Sequence, residues 1–432
     1  MEKSIVELEK QLNSFNKEER ISALKELKKR YPAPAVKSGF VNQHIHSFYS
    51  FNAYGFSPCR IAFEAYKKGL FSAGLVDFDT LDGVSEILEA GEILNIRTTA
   101  GIESRVFVPE YSSQVINSPG EKGVSYFMGA GFTGKEKEGS SGEKVIKRFR
   151  QISKERNISR LAAVNLILSD KLEKVDYEKD VLTLTPENNA TERHILEALD
   201  RKARAKYKGK ELIEFWAEKL GESNGKIQSL VGKSPDLQVL IRSRLFKQSG
   251  TAATVSFPPL TEVINAIIDL GGIPVATWLD GTSEGEQDPK AMFKLMQEKG
   301  VIALNIVPDR NWNIKDPAEK EKKVKNMNLF IDTARELGMP LIAGTEMNKY
   351  GQSISDDFNA PEIKGFLSDF ISGACFFYGH TLLSRLADKG FYSAWAKDKY
   401  PAVPERTAFF TGAGRKYEPG ISKAELLKQL EA

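Results

Sequence analysis

The chain has 432 residues, 41% hydrophobic and 28% charged, and its 61 basic against 58 acidic residues leave a formal net charge of +3. That length can bury a large core, as one big domain with an insertion or as two domains. The charge balance excludes the electrostatic footprint of duplex nucleic acid or of an anionic membrane surface, and no apolar run approaches the roughly 20 residues of a membrane span.

In chain order, residues 1–34 predict a helical extension. Its charged start lacks the apolar centre of a signal peptide, so a cytoplasmic protein is expected. Asn16 with Glu19 offers a capping box ahead of a helix over 21–29, and Tyr-Pro-Ala-Pro at 31–34 ends it. From residue 35 strands and helices alternate. Strands are predicted at 38–45, 72–77, 96–107, 123–129, 273–279, 301–308 and 340–345, and helices at 58–69, 82–94, 258–270, 286–299 and 316–337. Alternation of this kind argues a parallel sheet, open or closed into a barrel. The pattern breaks at 135–250, where a Gly/Ser/Lys/Glu loop leads into helical segments at 143–156, 159–168, 191–205 and 209–220. Beyond 350, helices are predicted at 361–372, 380–389 and 422–431. Cys59 and Cys375 are too few and too far apart for a disulfide framework or a zinc knuckle.

Polar residues recur at the strand ends. The first strand runs into His44 and His46, half of the four histidines in the chain. Positions i and i+2 of a strand share a side, roughly 7 Å apart at the backbone, so two imidazoles there can pinch one metal ion. The second strand ends in Asp77-Phe78-Asp79, the third carries Glu103 and Arg105, the sixth leads to Asp309-Arg310, and the seventh to Glu346 and Asn348. In β/α folds ligands gather outside the carboxyl ends of the strands, which puts these groups on one rim. Plainer readings stand beside this one. The histidines could be hydrogen-bonded without metal, Glu103 could pair with Arg105, Asp77 and Asp79 could cap the helix near Leu81, and Arg310 could form a loop ion pair. His194 follows a candidate N-cap, Thr191, and reads as an exposed helix histidine or a phosphate contact; His380 reads as structural. Gly129 to Lys135 matches most of a phosphate-binding loop. Glu136 stands where Ser or Thr should hold magnesium, and no good helix start follows, so the match is set aside.

The run from His44 to Gly83, with His44-Ile45-His46, Ser57-Pro58 and Asp79-Thr80-Leu81-Asp82-Gly83, resembles the opening of the PHP (polymerase and histidinol phosphatase) superfamily. Ala100-Gly101-Ile102-Glu103-Ser104 resembles that family's Gly-x-Glu-x-Ser segment, and the likeness covers 38–131 and 255–350. The resemblance implies a PHP-type distorted (β/α)7 barrel over 35–134 and 251–432, with a helical insertion over 135–250. It also implies a metal-dependent phosphoesterase. The chain departs from the family pattern at Phe51, Phe78, Tyr126 and Trp278, where the family has Asp or His, and Glu346-Met347-Asn348 replaces its closing Asp-x-His. By this likeness His44, His46, Glu103 and Glu346 remain as ligands of one divalent metal ion, and the full cluster of the family is lost.

Two imidazoles and two carboxylates suit Zn, Mn or Fe. Asp77 is a candidate to fix the tautomer of a ligand histidine, Asp79 to act as general base or to hold a rim loop, and Arg105 and Arg310 to clamp phosphate. The segment with His194 resembles a helix of the inserted domain in some nucleotide-cleaving members of that family, which implies a basic residue that reaches the phosphate. The expected function is hydrolysis of a small phosphate ester or nucleotide through metal-activated water. The alternative is a catalytically degenerate PHP-fold protein that binds a phosphorylated or sugar-like ligand. The expected partner is that small phosphorylated molecule, with no nucleic-acid duplex and no membrane.

Overall fold

The computed structural model describes residues 3–32, 34, 38–135, 138–246 and 256–431. Residues 33 and 35–37, Glu136, and the boundary expected at 250–251 lie outside them.

Seven strands form one sheet in sequence order: β1 (Val41–Ile45), β2 (Ser72–Phe78), β3 (Arg97–Phe107), β4 (Val124–Ala130), β5 (Ile273–Thr277), β6 (Ala303–Ile306) and β7 (Leu341–Ala343). The sheet closes through a parallel bridge between Ile45 and Glu346. His46 N–H donates to Glu346 O (2.9 Å) and Glu346 N–H to His44 O (2.7 Å). Closure depends on Gly344, where a Cβ would lie 2.5 Å from both His44 N and Asn42 Oδ1. The result is a distorted (β/α)7 barrel.

The distortion is in β4, which is antiparallel to both β3 and β5 and not parallel as the alternation predicts. Its connection from β3, residues 108–123, holds only a 3-10 turn at Pro109–Tyr111 and a bridge between Val115 and Lys122. A parallel return needs a crossover of a dozen or more residues, usually helical; without one the chain doubles back. The start of β4, with Tyr126, thereby joins the rim where the parallel strands end.

The barrel helices form where the sequence predicts them, at Pro58–Lys68, Val84–Leu94, Leu260–Asp269, Pro289–Glu298 and Pro317–Leu337. Ser57, Asp288 and Asp316 cap three of these by accepting backbone N–H bonds. Two predicted breaks do not occur. Residues 143–168 lie in one helix, Ser141–Leu168, because Asn157-Ile158-Ser159 contains no breaker and Asn157 donates to Ala190 O (2.8 Å). Residues 367–387 are also one helix, Leu367–Ala387. Gly373 and Gly379 there do not end it; a Cβ at either would collide with Leu341 O or Phe410 O, so they serve close packing. Phe376 and Phe377 of this helix cluster with Val76, Met128, Val275, Ala303 and Ile342 of the barrel.

Between β4 and β5 lie the helices Ser141–Leu168, Glu192–Lys206, Gly209–Leu220, Asn224–Val231 and Ser234–Ile241. They share a separate core around Leu161, Val164, Leu199, Phe215 and Trp216. Val145, Ile146 and Phe149, early in the first helix, belong to the barrel's core instead, so this helix joins the two. The N-terminal helices Ile5–Gln11 and Lys17–Arg30 pack on the barrel. Asn16 accepts from Glu19 N–H, but Glu19 bonds Ser14, so the reciprocal capping box falls on Ser4 and Glu7. Among the described residues no helix is long and apolar enough to cross a membrane.

Candidate metal centre

Three side chains converge at the end of β1 and the middle of β3. The pairing of β1 with β2 shifts register between Asn42 and Ile45, a bulge of the kind that re-aims a side chain. His44 and His46 end with ring centroids 5.1 Å apart. Each Nε2 lies 3.3 Å from Oε2 of Glu103. His44, His46 and Glu103 are all buried, and their ligand atoms lie within 4.8 Å of one another. Those same three atoms, His44 Nε2, His46 Nε2 and Glu103 Oε2, have no hydrogen-bond partner. Buried polar atoms are rarely left unpaired, and three aimed at one point fit a cation.

The far side of each ring is fixed. His44 Nδ1 lies 3.3 Å from Asn305 Oδ1, an acceptor, which keeps the proton on Nδ1 and leaves Nε2 bare. His46 Nδ1 lies 3.5 Å from Ser50 Oγ, which donates in turn to Asp77 Oδ1 (2.6 Å). The face of His46 stacks on Phe78 at 4.3 Å and 18°. Burial pushes the Glu103 carboxyl up, but the two imidazoles outweigh it and hold it at about 2. Burial opposes the charged form of His44, yet Glu103, Glu346 and Asn305 together raise it.

The other predicted site residues divide. Glu346 Oε2 accepts from Arg310 Nη2 (2.5 Å) and Asn348 Nδ2 (2.9 Å), so its carboxylate stands beside the trio and not in it. Asp77 does not touch a ring; it accepts from Ser47 N–H (2.7 Å), Ser47 Oγ (2.7 Å) and Ser50, and reaches His46 through one hydroxyl. Asp79 accepts from Ser104 Oγ (2.5 Å). Ser104 follows Glu103 on the strand and faces the opposite way, so Asp79 points away from the trio. Neither aspartate caps a helix: the next one starts at Val84 with Gly83 as N-cap. Arg105 pairs with Glu121 (3.0 Å) and lies over the Phe257 ring. His194 is buried, not exposed; its Nδ1 accepts the Thr191 N–H (3.0 Å), completing a cap. The Gly-rich match forms no phosphate loop: Lys135 pairs with Asp82 (2.7 Å), and the next helix starts only at Ser141.

A cavity of ≈ 210 Å³ opens beside the trio, which Glu103 alone of the three lines. Its polar lining includes Glu103, Asn305, Arg242, Arg310, Glu346 and Asn348. Phe78, Tyr126 and Trp278, three of the four aromatics at the departing positions, wall the same space, whereas Phe51 packs edge-on against His194.

No protein-family model matches the chain, and no curated protein does. Solved structures do resemble it. An amidohydrolase from Chromobacterium violaceum, with bound sulfate and no metal, has a TM-score of 0.47 and 14% identity, covering 72% of this chain and 88% of its own. A provisionally assigned metal-dependent phosphoesterase from Bifidobacterium adolescentis has a TM-score of 0.45 and 17% identity, covering 77% and 96%. The functional reading therefore rests on the site.

Sequence reasoning missed Asn305, Ser50 and Arg242. Asn305 did leave a signal, as the one amide within the apolar run Ile302 to Val307. Arg242 left none: it belongs to the helical insertion, and only the fold brings it to the barrel rim.

Proposed function

We propose that the protein is a single-metal hydrolase of a small phosphate ester. His44, His46 and Glu103 would hold one divalent ion, Zn, Mn or Fe. The observation that carries this reading is the set of three unpaired, buried ligand atoms, of which Glu103 reaches a cavity whose wall holds Arg242 and Arg310. When bound, such an ion supplies Lewis acidity and acidifies a water molecule.

The chain's own residues do the rest. Asn305 and Ser50 hold the two imidazoles in the tautomer that presents Nε2. Arg310, paired with Glu346 but lining the cavity, offers guanidinium donors to an anionic phosphoryl group; Arg242 lines the cavity too, with its Nε paired to Glu192 of the insertion. Phe78, Tyr126 and Trp278 stand where a second ion would need its ligands, which supports one ion over a cluster. Asp79, Arg105 and His194 have no part in this reading, because each is engaged elsewhere.

A panel of small phosphomonoesters and phosphodiesters, run on wild type and His44→Ala in parallel, tests the proposal. Turnover by wild type that falls at least about a hundredfold in the variant is expected. Turnover that survives the substitution contradicts the mechanism. Tight binding of a phosphorylated ligand without turnover would favour the binding protein, a reading that the aromatic wall also fits.

A further inference from the structure

Glu346 is held by its backbone at the metal centre and by its side chain away from it. Its N–H and C=O bond to His44 O and His46 N, between the two ligand histidines. Glu346 and Met347 both take left-handed backbone angles (φ +62° and +54°), which non-glycine residues adopt only where the surroundings impose them. The backbone is thus pinned and only the side chain is free to turn. That side chain is buried and bonds Arg310 and Asn348. Its partner Arg310 is the accessible member of the pair, with its side chain 30% exposed against 8% for Glu346, and it lines the cavity. An anion entering that cavity therefore competes with Glu346 for the guanidinium.

We infer that Arg310 and Glu346 form a latch that couples phosphate binding to metal binding: a phosphoryl group that draws Arg310 away frees Glu346 to turn toward the ion held by His44, His46 and Glu103. The latch rests on the reading of those three residues as a metal centre. A buried carboxylate released from its arginine needs another cation, and a divalent ion on His44, which Glu346 already influences, would outcompete the singly charged Lys349 and Arg193 that also act on it. By linkage the effect is reciprocal: metal should strengthen phosphate binding by the same factor. The protein would then hold its metal more tightly once its substrate arrives.

Calorimetric titration of metal-free protein with Mn²⁺, with and without saturating inorganic phosphate, tests this. Wild type is expected to bind Mn²⁺ about tenfold more tightly when phosphate is present. Arg310→Met is expected to bind tightly from the outset and to gain less than about twofold from phosphate. Glu346→Gln, which keeps an acceptor for Arg310, is expected to bind no more tightly than phosphate-free wild type and also to gain less than about twofold. Absence of any gain in wild type overturns the latch. So does a full gain in either variant, because direct contact between phosphate and ion would then suffice. If Arg310→Met does not fold, Glu346→Gln carries the test. His44→Ala is titrated alongside; if it binds Mn²⁺ as tightly as wild type, the metal centre itself is wrong, a failure separate from that of the latch.

Discussion

At the residue scale, the four histidines divide by what their ring nitrogens do. His44 and His46 leave Nε2 unpaired and anchor Nδ1. His194 and His380 are neutral and structural: His380 Nδ1 accepts from Phe391 N–H (3.0 Å) while Nε2 lies 3.0 Å from Gly271 O. Burial lowers His194 to about 3 and His380 to about 4. An unfolded histidine takes up a proton near pH 6.5, whereas these two do not, so the unfolded state binds more protons below that pH. Stability is therefore complete above pH 6.5 and is lost as pH falls. Each should cost about 1 kcal/mol between pH 7 and 5.5. Urea unfolding across this range should show a shallower pH slope for His194→Gln than for wild type. At the centre itself, Asn305→Ala should weaken metal affinity about tenfold or more while the melting temperature of the metal-free protein changes little. Equal affinity would mean that Asn305 does not set the His44 tautomer.

At the element scale, the N-terminal helix Lys17–Arg30 is fastened to the barrel by one buried ion pair. Arg20 Nε donates to Glu86 Oε1 (2.8 Å), its Nη2 bonds Glu86 Oε2 and Tyr49 Oη, and both charged side chains are 1% exposed. Removing one partner leaves the other charge buried and unpaired, so Arg20→Ala should destabilise the protein by about 3–5 kcal/mol in urea unfolding. The insertion is fastened more widely. Arg150 reaches Asp82 (2.6 Å) and Thr80, and Asn189 Nδ2 donates to Tyr49 O (3.1 Å) and Phe78 O (2.8 Å). Asn189 thus ties the insertion to the backbone of Phe78, the residue stacked on His46. The existence of these elements was legible in the sequence because their caps and apolar periods are local. The contacts that place Arg242 at the rim were not, since no local pattern encodes which helix face meets the barrel.

At the scale of the whole molecule, closure of the barrel and assembly of the centre are one event. The bridge that closes the sheet joins Ile45 to Glu346, between the two ligand histidines. Gly344 permits that approach, so Gly344→Ala should cost about 1–3 kcal/mol of stability and should weaken metal binding with it. Loss of stability with metal affinity intact would separate the two. The sequence made the seven strands readable, and i and i+2 on a strand put His44 and His46 on one face; Glu103 joined them only through the family resemblance. It hid the reversal of β4, which depends on a missing crossover. It also hid the side-chain pairing of Glu346 with Arg310, where position along the chain says nothing of rotamer. Asp79 shows the same limit: its place at a strand end was right for a rim residue, yet its carboxylate turned to Ser104.

The central claim is that His44, His46 and Glu103 hold one ion. Metal analysis of protein purified without chelator, followed by equilibrium dialysis against Zn²⁺ and Mn²⁺, tests it most directly. The account predicts one divalent ion per chain in wild type and none retained by His44→Ala or Glu103→Gln. Wild-type protein that carries no stoichiometric metal and regains none from either ion would contradict it.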